Sequence, residues 1–277
     1  MELIMNYRVC VLQPEIFPGR TEENLAAIDK LAGEAAENGG LDLLLLPENF
    51  VLWGPNRKRQ NNPEVIIEFL RDLARKYRCN LIGGSFHHHH KSGKYLNTCY
   101  IFNREGNLLG EYYKRELFHR EIEQGVDRGD RSTVVEIEGW RIGVLICADL
   151  WYPELCRELL DKTDIIAVPV QSVVRNAAYQ VYGRRVWHAL AMTRSQENSI
   201  IVMAADHPAL NRFPYAGGGS SICDPSAAGE ESGMANIQLI LDEGKAGAIT
   251  AEVDKTKLEE FRRYRRSRGL LPFKNGD

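Results

Sequence analysis

Leu41-Asp42-Leu43-Leu44-Leu45-Leu46-Pro47-Glu48 is a short apolar run stopped by a proline, with a carboxylate just beyond it. Bounded by Gly39-Gly40 on one side and Pro47 on the other, it reads as a central, buried strand. Upstream, Leu25, Ile28, Leu31 and Ala35 give one apolar face to a helix that Thr21 can cap and Gly39-Gly40 ends. Glu22 and Glu23 sit in its first turn, favourable at the positive end of the dipole. Before that helix, Arg8 to Leu12 reads as a buried first strand. Downstream the unit recurs: Asn62-Pro63 opens a helix through about Tyr77, with Val65, Ile66, Phe69, Leu70 and Leu73 as its buried stripe, and Leu81 to Phe86 returns as a strand. Strands alternating with helices argue for a layered α/β architecture.

The rest of the chain keeps that pattern. Tyr95 to Asn103 and Leu108 to Tyr113 form one expected hairpin, Val134 to Ile137 and Arg141 to Ile146 another around Glu138-Gly139. Then come a helix from Pro153 to about Leu160, a strand at Ile165 to Val168, a long helix ending near Glu197, and strands at Ile200 to Ala204, Ser220 to Cys223 and Ala248 to Val253. No low-complexity linker interrupts the sequence, so positions 1–277 are expected to form one domain. The stretch from Arg115 to Ser132 is the longest polar segment without clear periodicity, and such loops often carry function.

Three residues share one local context, a reactive group just past the end of an apolar strand. Glu48 follows the leucine run, Lys114 follows Leu109-Gly110-Glu111-Tyr112-Tyr113, and Cys147 follows Ile142-Gly143-Val144-Leu145-Ile146. Ligands of layered α/β proteins collect outside the carboxyl ends of strands. A thiol needs a base or cation nearby to become a nucleophile. Glu48 could take its proton and pass it to a leaving amine. Lys114 and the backbone N–H of Ala148 would face the oxyanion of a tetrahedral intermediate. Singly, these residues also fit a helix cap, a surface charge and a core thiol.

Leu46-Pro47-Glu48-Asn49, Tyr113-Lys114 and Leu145-Ile146-Cys147-Ala148-Asp149 with Pro153-Glu154 resemble the three signature segments of the nitrilase superfamily of carbon–nitrogen hydrolases. Asn97-Thr98, Arg194 to Asn198 and Gly219 to Pro225 add to the resemblance, which runs in order from about residue 7 to residue 260 and leaves a tail over 261–277. It implies a four-layer αββα sandwich, a Glu48-Lys114-Cys147 triad, assembly into homodimers or larger homo-oligomers, and no metal or organic cofactor. It also implies a second glutamate after the lysine, which positions the substrate or the lysine. Glu121 fits that spacing best, with Glu123 a close rival.

Asp149 and Glu154, within the cysteine segment, read as structural. Two positions depart from the common pattern: Glu116 stands where many relatives have histidine, with His119 close by, and Trp151-Tyr152 stands where Arg-Phe is common. Ala148-Asp149 followed by Pro153-Glu154 looks more like the amidase and carbamoyl-hydrolase branches than the nitrilases. The expected substrate is therefore a small linear amide or N-carbamoyl compound, with a nitrile as the alternative. A non-catalytic binding subunit and a metal-dependent hydrolase are the alternatives from other classes. Loops 51–62, 115–132 and 171–182 would shape the pocket, and Arg175 could pair with a substrate carboxylate.

His87-His88-His89-His90 is expected to be a solvated strand end or loop, because neighbours on a strand point to opposite faces and cannot all meet one ion. A net charge of −3 calls for neither nucleic acid nor an anionic membrane. The five arginines of Arg262–Arg268 fit a solvated helix or an inter-subunit face. Met1 to Met5 show no signal peptide, no run approaches a bilayer span, and the six cysteines form no CxxC pair, which suits a reducing cytoplasm.

Overall fold

Alternate residues of the leucine run belong to different interiors. Leu43 and Leu45 join one apolar cluster with Val9, Val11, Ile142 and Val144, while Leu44 and Leu46 join another with Cys10, Leu12, Ile28 and Leu70. A strand buried on both faces must be apolar at every position, which is why this one reads as a continuous run.

The computed structural model describes residues 6–37, 39–51, 62–210, 212–228, 235–241 and 244–271. The elements begin β1 (Asn6–Gln13), α1 (Thr21–Glu37), β2 (Leu43–Leu45), α2 (Pro63–Tyr77), β3 (Asn80–Ile82), β4 (Phe86–His89), β5 (Tyr95–Phe102), β6 (Leu108–Tyr113) and α3 (His119–Glu123). They continue with β7 (Val134–Ile137), β8 (Trp140–Val144), α4 (Pro153–Glu158), β9 (Ile165–Pro169), α5 (Gln180–Asn198), β10 (Ile201–Ala205), β11 (Ser221–Ala228), β12 (Ala235–Ile240), β13 (Gly247–Asp254) and α6 (Lys255–Ser267). Short 3-10 turns at Cys147–Trp151 and Ala177–Tyr179 precede α4 and α5.

One sheet runs β13-β1-β2-β3-β5-β4, with β6 also on β5; the other runs β12-β11-β10-β9-β8-β7. Strands β1, β2 and β3 are mutually parallel, as are β8, β9 and β10. The sheets pack face to face, with the rings of Tyr7 and Trp140 stacked at 5.4 Å between them. Helices α1 and α2 cover the outside of the first sheet, and α5 and α6 that of the second. This is the expected αββα sandwich, in a single domain.

Local chemistry explains the ends of α2. Asn62 accepts from the Glu64 N–H, Pro63 takes the first turn, and Arg78 closes the helix in the left-handed conformation.

Four expectations change. Val65, expected in the buried stripe of α2, is exposed in its first turn, outside the face formed by Ile66, Leu70 and Leu73. The single strand expected over Leu81–Phe86 is two, because both β3 and β4 pair with β5 and one extra residue is inserted between them. Ile82 lies opposite Ile101, whereas Phe86 lies opposite Thr98. Gly84 makes the kink at φ +62, where a Cβ would come within 2.3 Å of the Pro47 carbonyl oxygen. The strand expected at Ser220–Cys223 extends to Ala228 and pairs with β12, which the sequence reading missed. Finally, the expected solvated arginine face loses Arg262, which is buried and bonded to Asp164 within the chain. The expectations for Met1 to Met5, for positions 52–61 of the 51–62 loop and for positions 272–277 of the tail lie outside the described residues.

Candidate active site

The carboxyl ends of the strands converge as the topology requires. Glu48 follows β2, Lys114 follows β6, Cys147 follows β8, and Gln171 follows β9. All four line one cavity of about 930 Å³, together with Ala148 and Glu121.

Lys114 is the hub. Its Nζ lies 2.7 Å from Glu48 Oε1 and 2.7 Å from Glu121 Oε2, and its side chain is 1% exposed. Burial alone would depress its pKa, but the surrounding acids outweigh burial and raise it, so the ammonium stays charged. Glu121 is likewise pushed up by burial, but His87 and Lys114 more than offset that and hold it well below the usual carboxylate range. Glu123 points away, exposed and near His119, so the geometry selects Glu121 between the two.

The two glutamates differ in what their oxygens can still do. Glu121 Oε1 accepts from His87 Nε2 at 2.9 Å and Asn97 Nδ2 at 2.8 Å, and Oε2 accepts from Lys114 and from the Phe118 N–H at 2.8 Å. A carboxylate offers about four lone-pair sites, so Glu121 is saturated. Glu48 Oε1 accepts from Lys114 and from Asn97 Nδ2 at 2.9 Å, while Oε2 accepts the Gln171 N–H at 3.1 Å. Among the described residues that leaves Glu48 with a site open, and the Cys147 thiol interacts with it.

Cys147 sits at φ +44, a left-handed conformation costly for a side-chain-bearing residue. Asp149 holds this turn: Oδ2 accepts from the Ile146 N–H and the Tyr112 hydroxyl, and Oδ1 from the N–H groups of Arg115 and Glu116. One carboxylate thereby ties the cysteine turn to the segment after Lys114, the structural role read for Asp149. Burial and the adjacent Glu48 charge push the Cys147 thiol well up, against the opposing pull of Lys114. The resting sulfur is a thiol with a base beside it. The other five cysteines are wholly buried and, like Cys147, free.

Not every expected residue arrives. Arg175 is exposed in the segment before α5 and does not line the cavity; the guanidinium on the wall is that of Arg120, 5.5 Å from the Phe213 ring. The histidine run is not solvated as a whole. His87 to His89 lie on β4, where strand alternation sends His87 and His89 to the cavity and His88 to Tyr100, and His90 follows the strand. Among the described residues no group of three or more histidine, cysteine, aspartate or glutamate side chains is arranged to hold a metal. Glu116 bonds Asp149 through its backbone and Arg128 through its side chain, while His119 is exposed. Trp151 takes a place in the cavity wall, edge-on to Trp187 at 6.1 Å.

Sequence reading placed Gln171 in a pocket loop but gave no role to His87, Asn97 or His207, whose ring nitrogen lies 2.6 Å from the Glu48 carbonyl oxygen. Asn97 falls directly opposite His87 in the β4–β5 register, a signal visible only once the kink at Gly84 is known.

The carbon–nitrogen hydrolase family profile matches residues 8–263. The chain belongs to this family. As a carbon–nitrogen hydrolase of the nitrilase superfamily, it is an amidohydrolase acting on C–N bonds other than peptide bonds. It is 30% identical over 212 residues to "Omega-amidase NIT3" of Saccharomyces cerevisiae, covering 72% of this chain and 67% of that protein. It is 28% identical over 260 residues to "Deaminated glutathione amidase" of Synechocystis, covering 84% and 91%. The crystal structure of Nit3 from Saccharomyces cerevisiae superposes with a TM-score of 0.75 at 24% identity, over 95% of this chain and 96% of that one. Among the described residues no helix of this hydrolase is long and apolar enough to cross a membrane.

Proposed function

We propose that this hydrolase cleaves a small linear amide through a thioester on Cys147, releasing ammonia. The observation that carries the reading is the unequal filling of the two glutamates. Glu48 retains an open lone pair beside the thiol, whereas Glu121 has none, so Glu48 is the base and Glu121 a fixed anion.

The substrate carbonyl lies between Lys114 and the Ala148 N–H, where developing negative charge meets a full positive charge in a water-poor site. Cys147 Sγ attacks the carbonyl carbon as its proton passes to Glu48. Collapse of the tetrahedral intermediate breaks the C–N bond, and Glu48 returns that proton to the departing nitrogen. Water then attacks the thioester, giving its proton to Glu48, and the acid leaves as the thiol reforms. Lys114 remains an ammonium throughout, because Glu121 stays a carboxylate beside it even while Glu48 holds a proton.

One relative is named for deaminated glutathione, an amide that carries carboxylates elsewhere in the molecule, and an amide of that kind is the choice made for this chain. Arg120 supports that choice: it lines the cavity and has no ion-pair partner among the described residues. A guanidinium there would receive a carboxylate in two parallel hydrogen bonds. N-carbamoyl amino acids, which also carry a carboxylate, are the second reading that this residue favours.

Ammonia release from dicarboxylic acid monoamides, N-carbamoyl amino acids, uncharged aliphatic amides and nitriles tests the proposal. The highest kcat/KM should fall on the monoamides, and Arg120→Ala should raise KM roughly tenfold for the charged substrates alone, by loss of one charge-assisted contact. Preference for nitriles, or for uncharged amides with no effect at Arg120, would overturn it.

A further inference from the structure

The histidine run is a sequence feature that the proposed reaction leaves unused. We propose that His87 is a positioning residue for that reaction, acting through Glu121 to keep the Lys114 ammonium in register with Glu48. The inference rests on the assignment of Glu48, Lys114 and Cys147 given above.

Continuing the β3–β5 pairing without an extra residue would set Phe86 opposite Asn97. The residue inserted around Gly84 shifts the pairing by one, so that His87 stands there instead. A one-residue shift sends every side chain of a strand to its other face. The kink therefore decides that an imidazole, and not a phenyl ring, shares the site face with Asn97. Directly opposed residues on one face have Cβ atoms about 5 Å apart, close enough for both to reach one carboxylate oxygen. They do so: Glu121 Oε1 takes both hydrogen bonds.

The chemistry of that pair fixes direction. Glu121 is an anion and only accepts, so His87 Nε2 carries the hydrogen and donates. Asn97 cannot replace it. Its Nδ2 already serves both Glu48 and Glu121, and its Oδ1 is buried with no partner among the described residues. An inverted Asn97 amide would aim that oxygen at two carboxylates. Tyr95 backs the His87 ring at 6.0 Å between centroids. With His87 lost, Oε1 would retain a single, shared donor. Glu121 would then be held by three donors in place of four, and Lys114, equally close to both carboxylates, would be drawn with it out of line with Glu48. Misplacement of that kind lowers the rate of the chemical step more than the affinity for substrate.

The test compares His87→Phe, which keeps a ring against Tyr95 and removes the donor, with His87→Gln, which restores one. On the best amide of the panel, His87→Phe should lower kcat by about 10- to 100-fold with KM within about twofold. His87→Gln should recover most of that loss. In a Glu121→Gln background, His87→Phe should add less than about threefold, because the two act as one unit. Wild-type kcat in His87→Phe, a loss confined to KM, or full multiplication of the two losses would overturn the proposal. Should His87→Phe fail to fold, an inactive but folded His87→Gln would also overturn it. Should the wild type hydrolyse no amide, the assigned reaction fails separately. Alkylation of Cys147 by iodoacetamide then reads the inference: slower in His87→Phe and restored in His87→Gln supports it, and equal rates overturn it.

Discussion

Lys114 Nζ lies 2.7 Å from Glu48 Oε1, and the two side chains are 1% and 3% exposed. A contact this short, so far from water, ties the stability of the site to its chemistry. With Glu121 on its other side, the Lys114 ammonium stands between two carboxylates.

Removing that charge strands both acids in a buried site. Lys114→Met should lower stability by about 3–5 kcal/mol, which for a chain of this size is a fall in Tm of roughly 10 °C. Adding Glu121→Gln should return part of it, since one fewer carboxylate is left unpaired. Differential scanning calorimetry of the single and double variants measures both effects. An unchanged Tm in Lys114→Met would mean that the ammonium is not confined as described.

His207 gives the fold a defined acid limit. Burial lowers its pKa to about 4, against an ordinary value of 6.5, and its ring donates to the Glu48 carbonyl in the neutral form. Between those two values the unfolded chain binds the proton that the folded one refuses. The contribution of His207 to stability is therefore constant above about pH 6.5 and declines as the pH falls towards 4, by up to about 3 kcal/mol. His207→Gln, which keeps an amide donor without the titration, should flatten that decline in urea denaturation curves recorded across the range. An identical slope in the variant would count against this origin.

Asp164, just before β9, anchors helix α6 through Arg262. Its Oδ1 accepts from Arg262 Nη1 and Arg141 Nη2, both at 2.6 Å. Burial raises its pKa, but the two guanidinium groups outweigh burial and leave it well below the usual range. Asp164→Asn should cost about 3–5 kcal/mol near neutral pH. That difference should shrink as the pH drops below about 4, where the unfolded aspartate and then the folded one take up protons. Paired denaturation curves at pH 7 and pH 3 measure it; a deficit of equal size at both would exclude the ion pairs as its source.

How much of this was legible beforehand follows from which interactions are local. The leucine run, the Asn62-Pro63 helix start and the three strand-end residues Glu48, Lys114 and Cys147 were readable, because burial periodicity and strand ends are written in consecutive residues. Arg120 and Arg175 show the limit. Both are exposed arginines in loop-like segments, and only the path of the chain brings one of them to the cavity. The burial of His87 depended on a one-residue insertion at Gly84, which composition cannot reveal, since Gly83-Gly84-Ser85 is equally consistent with a flat turn. Arg262 misled because four neighbouring arginines are not buried, and its partner Asp164 lies 98 positions away in the chain. Strand β12 was missed because its partner, β11, was itself read too short.

The account stands on attack by one sulfur, and ammonia release by Cys147→Ala tests this most directly. The variant removes a side chain at the cavity wall and leaves the Glu48–Lys114–Glu121 contacts in place, so it should fold with a Tm close to that of the parent. It should release no ammonia above the uncatalysed background from any amide that the parent hydrolyses. Turnover by folded Cys147→Ala within tenfold of the parent rate would contradict the thioester mechanism outright.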